Sequence, residues 1–390
     1  MPTQELMVAA TLWTGVGLIL YVYAGYPILI WLLSRIRPWP LQARAITPRI
    51  TLIIPARNEE QWIRRKIENT LTLDYPKDMM EIIVASDGSD DQTVSIAREF
   101  AGWGAQVAAF PTRLGKQEML NRLVPGASGE VIVATDTHAM LERDALRNLV
   151  RHFADPAVGG ATGRRVCVSQ AKSVASMGEG LYWRYESWIK ESESRVHSCL
   201  GAQGQLYAIR KAVFPHVEKV GEDFFIPMKV LADTGLRIVY EPSAVAAIPA
   251  AATLSIEFER KARAHMSFLL TIPMLKKLLM PWKTQIWWQY VSHHLLRMMV
   301  PPALLVLLVF SAILAPSSRF YLYILLLQAI FYALAAVGAV LAPLGHRPKV
   351  FYLPFYFIFV NAALWLAWLR WPRRKYEYAW QRTERLPDAD

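Results

Sequence analysis

The chain has 390 residues, 54% hydrophobic and 19% charged, with a formal net charge of +11 at pH 7. A single soluble domain does not need this much apolar sequence, so we expect one full-sized domain plus membrane helices. The charge does not indicate nucleic acid, because much of the excess flanks apolar stretches, where cations meet anionic lipid headgroups. The two cysteines, Cys167 and Cys199, lack metal-ligand spacing, so we expect free thiols and no structural zinc.

The first apolar stretch covers residues 7–34, contains no charged residue, and exceeds the roughly 20 residues that cross a bilayer core. Its first basic residue, Arg35, comes after the apolar run, whereas a cleaved signal peptide has a basic stretch before it. We therefore predict an uncleaved transmembrane anchor over residues 1–34. The basic residues that follow place the central region in the cytosol by the positive-inside rule.

The central region, residues 35–266, alternates strand-like with helix-like segments. Apolar, β-branched runs of strand length lie at residues 50–56, 81–86 and 130–135. Segments with helical spacing lie between them, at residues 59–73 and 91–101. This alternation predicts an α/β fold with a mainly parallel sheet. Because such sheets bind ligands beyond the carboxyl ends of their strands, we expect one site containing Asn58, Asp87 and Asp136.

The C-terminal third is dominated by apolar sequence. Three further apolar stretches cover residues 298–318, 320–345 and 350–369, and predict three transmembrane helices within residues 296–370. Before them, residues 267–295 mix apolar residues with prolines and paired lysines. That mixture predicts an amphipathic segment in the membrane interface, or alternatively an ordinary surface helix or a failed span. Three closing spans put the basic tail, residues 371–390, outside, whereas the positive-inside rule puts it in the cytosol, so its side stays open.

Two motifs after the predicted strands carry a resemblance to a known family. The sequences PARNEE at residues 55–60 and SDGSDDQT at residues 86–93 resemble the opening of family 2 glycosyltransferases. The resemblance runs from about residue 49 to residue 294, and the flanking helices are similar to those of the bacterial cellulose-synthase-like, membrane-bound polysaccharide synthases. It implies a GT-A-type domain inserted between transmembrane helices and a nucleotide-sugar donor, expected to be a UDP-sugar.

The second motif points to a nucleotide. An aspartate at a sheet edge, followed by Gly88 and Ser89, can accept a base N–H while backbone amides face the ligand. By the resemblance, Asp87 holds the uracil. The residues expected at the nucleoside on the first strand are Ala56, Asn58 and Glu59. The alternative is a simple turn with Ser89 capping a helix.

The third predicted strand is followed by Asp136-Thr137-His138, where the family usually has Asp-x-Asp around a divalent cation on the donor diphosphate. The resemblance makes Asp136 a metal or ribose contact and implies Mg²⁺ or Mn²⁺ as cofactor. Imidazole suits Mn²⁺ better than Mg²⁺, so His138 is either a second ligand or a structural histidine. Lys116 resembles the family's basic residue before this strand, and either offsets diphosphate charge or is solvated.

Gly221-Glu222-Asp223 stands where the family carries Thr-Glu-Asp or a relative. We expect Asp223 to act as general base, because an inverting transfer needs a carboxylate within reach of the attacking hydroxyl. The alternative is a pair of acidic residues favoured by a helix dipole. The acceptor-side residues that the resemblance implies are Gly201, Gln203, Gly204 and Glu222.

The family's last motif, Gln-x-x-Arg-Trp, is matched only at its arginine, Arg263, which the resemblance places at the diphosphate. Ala264 stands where processive members have a tryptophan that stacks on the acceptor sugar, and alanine offers no such surface. The sequence therefore supports sugar transfer more directly than long-chain synthesis.

Together these features predict an inverting hexosyl- or N-acetylhexosaminyltransferase of the cell inner membrane with a cytosolic catalytic domain. Its expected partners are a nucleotide-sugar donor, a growing polysaccharide or lipid-linked acceptor, membrane lipids and polysaccharide export proteins, but no nucleic acid. The alternative is a catalytically weak membrane assembly subunit that keeps the GT-A fold. Donor turnover separates the two hypotheses.

Overall fold

The computed structural model describes residues 3–168, 174–216, 221–249, 253–342 and 348–373. The strands are β1 Ile50–Ala56, β2 Met80–Asp87, β3 Ala105–Phe110, β4 Val131–Ala134, β5 Met140–Leu141, β6 Val158–Val168, β7 Tyr207–Arg210 and β8 Arg237–Pro249. They form one sheet in the order β3-β2-β1-β4-β7-β6-β8-β5. The three strands expected from the sequence are confirmed as β1, β2 and β4.

The sheet is mixed but mostly parallel. Strands β3, β2, β1 and β4 run parallel, as do β6 and β8, whereas β7 is antiparallel to both of its neighbours and β5 is antiparallel to β8. All seven residues of β1 are buried. This continuous burial is typical of a parallel strand that is covered on both faces. The expected α/β class is therefore confirmed.

The helices are α1 Thr3–Leu20, α2 Tyr26–Ile36, α3 Ile63–Leu71, α4 Thr93–Arg98, α5 Lys116–Leu123, α6 Ala145–Val150, α7 Val174–Val196, α8 Glu222–Thr234, α9 Leu254–Thr271, α10 Trp287–Tyr290, α11 Leu296–Met298, α12 Val300–Leu314, α13 Arg319–Leu341 and α14 Lys349–Arg370. The two helices expected early in the central region are present as α3 and α4, each shorter than the expected segment. Both begin late because the residues before them form the loops of the candidate site.

The core lies on both faces of the sheet. On one face, Leu52 and Ile54 of β1 belong to an apolar cluster with Ile63 and Ile67 of α3. On the other face, Ile53 belongs to a cluster that includes residues of α5, α8 and α9. Alternate residues of one strand thus fill both layers. Each fully buried isoleucine contributes about 1.5–3 kcal/mol through removal of its side chain from water.

Three helices are long and apolar enough to cross a membrane: Thr3–Ile36, which joins α1 and α2 through a π-helical turn, Arg319–Leu341 and Lys349–Arg370. They coincide with the expected anchor and with two of the three expected closing spans. The remaining expected span, residues 298–318, corresponds to α12, which has only 15 residues and meets Trp287–Met298 at 52°. If this bent pair is one span, the described residues contain up to four.

Residues 267–283, the first part of the predicted interfacial segment, are not one continuous helix. Helix α9 ends at Thr271, and a 3₁₀ turn follows at Lys276–Leu279. Pro273 disfavours a continued helix, because the residue before a proline avoids the helical conformation. Leu278 is buried in the core of the central domain, and Lys277 forms an ion pair of 2.9 Å with Asp233 of α8.

Candidate active site

The loops after β1 and β2 hold each other through their own polar side chains. The Asn58 amide donates to Ser89 Oγ at 3.2 Å, and Asn58 Oδ1 accepts the Asp90 amide at 3.1 Å. The Glu59 amide donates to Thr93 Oγ1 at 2.7 Å. Asn58 has a φ of 52°, in the left-handed region that asparagine tolerates better than most residues. The structure thus brings these two motifs together at the carboxyl edge of the sheet.

Asp87 holds the loop before α5 through its carboxylate, and its contact to a nucleotide base stays a prediction. Its carboxylate is completely buried and accepts the amides of Leu114 at 2.6 Å and Gly115 at 3.1 Å. Gly88, with a φ of 63°, lies so close to this loop that a Cβ atom would be 3.0 Å from the backbone of Arg113. Asp87 and Gly88 therefore position the loop that begins α5.

Lys116, the first residue of α5, lies between two carboxylates. Its Nζ is 2.9 Å from Asp136 Oδ1 and 2.6 Å from Glu222 Oε1. Burial alone lowers the pKa of a lysine, but Asp136 and Glu222 outweigh that effect and hold the pKa of Lys116 well above its usual value. This ammonium group connects the donor-side strand β4 to the start of α8, and it carries a full positive charge at neutral pH.

Asp223 lies in the first turn of α8 beside two glycines. A Cβ atom on Gly204 would be 3.3 Å from Asp223 Oδ2, so only glycine leaves this side of the carboxylate uncrowded. Burial, then the neighbouring carboxylate of Glu222, raise the pKa of Asp223 from 3.8 to about 7, against the opposing charge of Lys116. A carboxyl group with such a pKa exchanges a proton readily near neutral pH.

The segment before β7 contributes a further side chain, Gln203, to the candidate site. The backbone amide of Gln203 donates to Thr162 Oγ1 at 2.8 Å, which fixes the loop onto β6. The side-chain amide of Gln203 is buried, and within the described residues neither its nitrogen nor its oxygen has a hydrogen-bond partner. Gly201, with a φ of 70°, packs directly against the ring of Phe224. Buried amides are normally satisfied, so Gln203 is a candidate for binding a substrate hydroxyl.

His138 lies beside Glu59 of the loop after β1. Its Nε2 lies 3.0 Å from Glu59 Oε2, with both side chains buried, and its ring packs edge-on against Trp62 at 5.4 Å. No group of three metal-binding side chains occurs in the described residues. A divalent cation that keeps water and donor phosphate as ligands needs only one or two carboxylates, and Asp136 is such a carboxylate. The metal role of His138 stays a prediction.

Arg263 lies on α9, which packs against the start of α8. Ser267, one turn later on the same face of α9, accepts the backbone amide of Gly221. Arg263 is half-buried, one turn before Ser267. Its contact to a diphosphate stays a prediction.

Two residues that the sequence did not single out, the half-buried Gln205 and the buried Lys66, contact Asp136 and the residue before it. Gln205 Nε2 donates to Asp136 Oδ2 at 3.3 Å, and Lys66 Nζ donates to Thr135 Oγ1 at 3.0 Å. Burial lowers the pKa of Lys66 to about 7, against the nearby charge of Asp136. Lys66 lies on the same face of α3 as the buried residues Ile63, Ile67 and Thr70. A lysine on the apolar face of a helix is the sequence signal that could have identified it.

The mostly parallel sheet and the polar residues at its carboxyl edge are those of a GT-A-like fold. Over 94% of this chain and 100% of the other, the structure matches a mannosyltransferase of Pyrobaculum calidifontis, solved with GDP-mannose and Mn²⁺, with a TM-score of 0.66 and 24% identity. That likeness establishes the fold. The family model described as Glycosyl transferase family 2 matches residues 51–216, so this region of the chain is similar to family 2 glycosyltransferases.

Curated relatives support the same family. A probable glycosyltransferase of Bacillus subtilis is 28% identical over 224 residues, which cover 51% of this chain and 50% of the relative. A beta-monoglucosyldiacylglycerol synthase of Synechocystis is 26% identical over 148 residues, which cover 37% of this chain and 31% of the relative. The chain thus spans between 31% and 50% of the length of these two relatives.

Proposed function

We propose that this protein is a membrane-bound inverting glycosyltransferase that moves a sugar from a nucleotide-sugar, a UDP-sugar, to a hydroxyl of a glycan or lipid-linked acceptor. The observation that carries the proposal is the buried Asp223 carboxyl group, with its pKa raised to about 7, beside Gly204. Asp223 and Asp136 lie in the same part of the site, since Lys116 pairs with Asp136 and its charge also acts on Asp223.

Each residue has a role that follows from its position. Asp223 accepts the proton of the acceptor hydroxyl as that oxygen attacks the anomeric carbon, and Gly204 leaves space for the hydroxyl to approach. Lys116 and Arg263 offset the negative charge that builds on the leaving diphosphate. Gln203 binds a hydroxyl of a sugar with its unpaired amide.

The donor phosphates and Asp136 are the proposed ligands of Mg²⁺ or Mn²⁺. When bound, such a cation stabilises the negative charge of the departing nucleoside diphosphate. Lys116 already pairs with Asp136, so we expect the ammonium group to move toward the donor phosphates when the cation takes its place. The mannosyltransferase of similar fold was solved with Mn²⁺, which supports this part of the proposal.

Membrane association follows from the three helices that are long and apolar enough to span. We propose that the central domain lies on the cytosolic side of the cell inner membrane, where nucleotide sugars are made, and that the acceptor arrives through the lipid phase. Polysaccharide export proteins are further proposed partners if the acceptor is a growing glycan.

The test is release of nucleoside diphosphate by the purified full chain in phospholipid nanodiscs. UDP-glucose, UDP-N-acetylglucosamine and GDP-mannose are each supplied with Mg²⁺, with Mn²⁺ or with a chelator. We expect metal-dependent release from a UDP-sugar and a loss of about 10²–10⁴-fold in Asp223→Asn. The matched control is Asp233→Asn, at the other end of the same helix, which should keep full activity.

Release from GDP-mannose alone would replace the proposed donor but keep the mechanism. Equal release by Asp223→Asn and Asp233→Asn would refute the role of Asp223. No release with any donor, from protein that still binds a nucleotide, would favour the assembly subunit that keeps the fold without its activity.

A further inference from the structure

A cavity of about 270 Å³ lies where the central domain meets the candidate membrane spans. Five elements line it: α7 and α9 of the central domain, α11 at Arg297, the N-terminal helix at Tyr23, and α14. The wall on α14 consists mainly of Tyr352, Leu353, Tyr356, Phe357, Val360 and Leu364. Two of the three candidate spans therefore contribute to one apolar, aromatic chamber that nothing in the proposed transfer chemistry uses.

The charged groups at the base of this cavity offset one another. Arg297 and Glu186 form an ion pair of 2.5 Å, and His293 bonds to Glu186 from the other side at 3.3 Å. His265 adds no charge, because burial, then the charge of Lys261, lower its pKa to about 3. Lys261 lies over the rings of Tyr182 and Tyr356 but is paired with Glu257 at 3.4 Å. An anionic ligand such as a phosphate would therefore meet Glu186 without an unpaired cation among the described lining residues. The cavity consequently favours an uncharged ligand.

Two buried polar atoms in the lining residues have no hydrogen-bond partner within the described part of the chain. They are Asn361 Oδ1, which accepts, and Arg297 Nε, which donates. The amide nitrogen of Asn361 is already held, since it donates to Phe357 O at 2.9 Å and to Tyr23 Oη at 3.3 Å. A hydroxyl group can donate one hydrogen bond and accept others, so hydroxyl groups supply both kinds of partner that these two atoms lack.

The cavity continues into an apolar groove on the surface of the candidate spans. The groove has a volume of about 750 Å³, runs between α13, α14 and the N-terminal helix, and shares Leu353 and Phe357 with the cavity. Leu353 is 53% exposed and marks the junction. A hydrocarbon chain in the groove would thus be continuous with a polar group in the cavity.

The cavity and the candidate active site lie on different faces of α9. His265 lines the cavity, whereas Ser267 bonds to the turn before Asp223, and residues two apart on a helix point in roughly opposite directions. Ring contacts also connect the base of the cavity to the candidate active site. His293 stacks on His294 with 4.7 Å between ring centroids, and the ring of Phe224 is 4.9 Å from that of His294. Phe224 is the direct neighbour of Asp223 in the chain.

From these contacts we infer that the cavity binds an uncharged, hydroxyl-bearing lipid, whose chains lie in the groove and whose polar group bonds Asn361 and Arg297. Such a lipid is the acceptor, or the anchor of the acceptor, in the transfer proposed above, and this assignment rests on that proposed function. Recognition of the lipid itself does not depend on it.

The test uses the full chain in phosphatidylcholine nanodiscs and a dioleoylglycerol analogue that carries a photoreactive diazirine on one chain. We expect crosslinks on α14 and α7, displaced by dioleoylglycerol but not by dioleoyl phosphatidate. Val360→Trp, which fills the cavity, should lower crosslinking about tenfold. The control, Val340→Trp, makes the same change at a position on α13 that is 67% exposed and outside the cavity, and should have no effect.

Asn361→Leu tests the hydrogen bond to the lipid hydroxyl separately from the volume of the cavity. The wild-type chain should bind dioleoylglycerol about tenfold better than its O-methyl ether, and Asn361→Leu should bind both equally. Retained binding of the ether shows that this variant is folded. Equal crosslinking by Val360→Trp and Val340→Trp, equal competition by phosphatidate, or a hydroxyl preference unchanged in Asn361→Leu would each overturn the inference.

The two proposals fail in different ways. Donor hydrolysis without acceptor should be unchanged in Val360→Trp, since this residue lies outside the donor site. Lipid binding as expected, with no turnover of any nucleotide sugar, would remove the proposed function and leave the lipid site standing. Donor turnover without lipid binding would do the reverse.

Discussion

At the scale of single residues, the raised pKa of Asp223 predicts a pH profile. Because a general base must be deprotonated, kcat/KM should rise as the pH increases through about 7. The same shift affects stability with a defined sign, since the folded state binds an extra proton between the ordinary pKa of 3.8 and about 7. Stability should therefore fall as the pH rises through this window, and Asp223→Asn should remove that dependence.

The measurements are initial rates and urea unfolding midpoints between pH 5 and 9, with Asp233→Asn as the control that keeps both profiles. Asp233 sits at the exposed end of the same helix, paired with Lys229. An acidic limb that persists in the residual activity of Asp223→Asn would assign the titration to another group.

The unpaired side-chain amide of Gln203 predicts opposite effects on stability and on substrate binding. Gln203→Leu replaces a buried amide that lacks partners by an apolar group of similar shape, so it should stabilise the folded protein by about 1–3 kcal/mol. If the amide binds a substrate hydroxyl, the same variant should raise KM at least severalfold. Chemical denaturation and substrate titration measure the two effects, and a variant less stable than wild type would show that Gln203 has a structural role.

At the scale of an element, Asp87 determines where α5 begins. Asp87→Ala would leave the buried amides of Leu114 and Gly115 without an acceptor, at a cost of roughly 2–4 kcal/mol. Because Lys116 follows directly, donor affinity should fall as well. The control is Asp90→Ala, an exposed aspartate three residues later, which should change stability by less than about 0.5 kcal/mol.

The measurement is urea unfolding together with donor binding. If Asp87→Ala weakens donor binding and leaves the unfolding free energy at its wild-type value, the aspartate contacts the nucleotide directly, as the sequence motif suggests. That result would contradict its role in holding the loop.

At the scale of the whole molecule, the end of α14 indicates the side of the membrane on which the basic tail lies. Arg370, the last residue of α14, forms an ion pair with Glu259 of α9 at 3.0 Å. Trp368 Nε1 also donates to the backbone of Met298 at 2.9 Å. These contacts hold the end of α14 beside the central domain, so we propose that both lie on one side of the membrane.

Cysteine labelling in sealed vesicles checks this prediction. Ala379→Cys in the tail and Ser95→Cys in the central domain, each made in a chain with Cys167 and Cys199 replaced by serine, should react with an impermeant maleimide from the same side. Labelling from opposite sides would show that the Arg370–Glu259 pair does not persist in the bilayer.

The sequence by itself determined the fold class, three of the parallel strands and the set of polar residues at their carboxyl ends. These features depend on local signals: β-branched apolar runs, the Asp-Gly turn, and glycines at positions such as Gly88 that need a positive φ. The motifs were also sufficient to indicate family 2 glycosyltransferases, because each combines a residue type with a place at the end of a strand.

Only the tertiary structure decided which partner each polar group takes. His138 pairs with Glu59 across more than 70 residues of chain, and Lys116 joins the nearby Asp136 to Glu222, more than 100 residues away. Hydrogen bonds and pKa values depend on distance and burial, which spacing along the chain does not specify. The cavity proposed to bind a lipid has the same origin, since it forms where α7, α9, α11, α14 and the N-terminal helix meet.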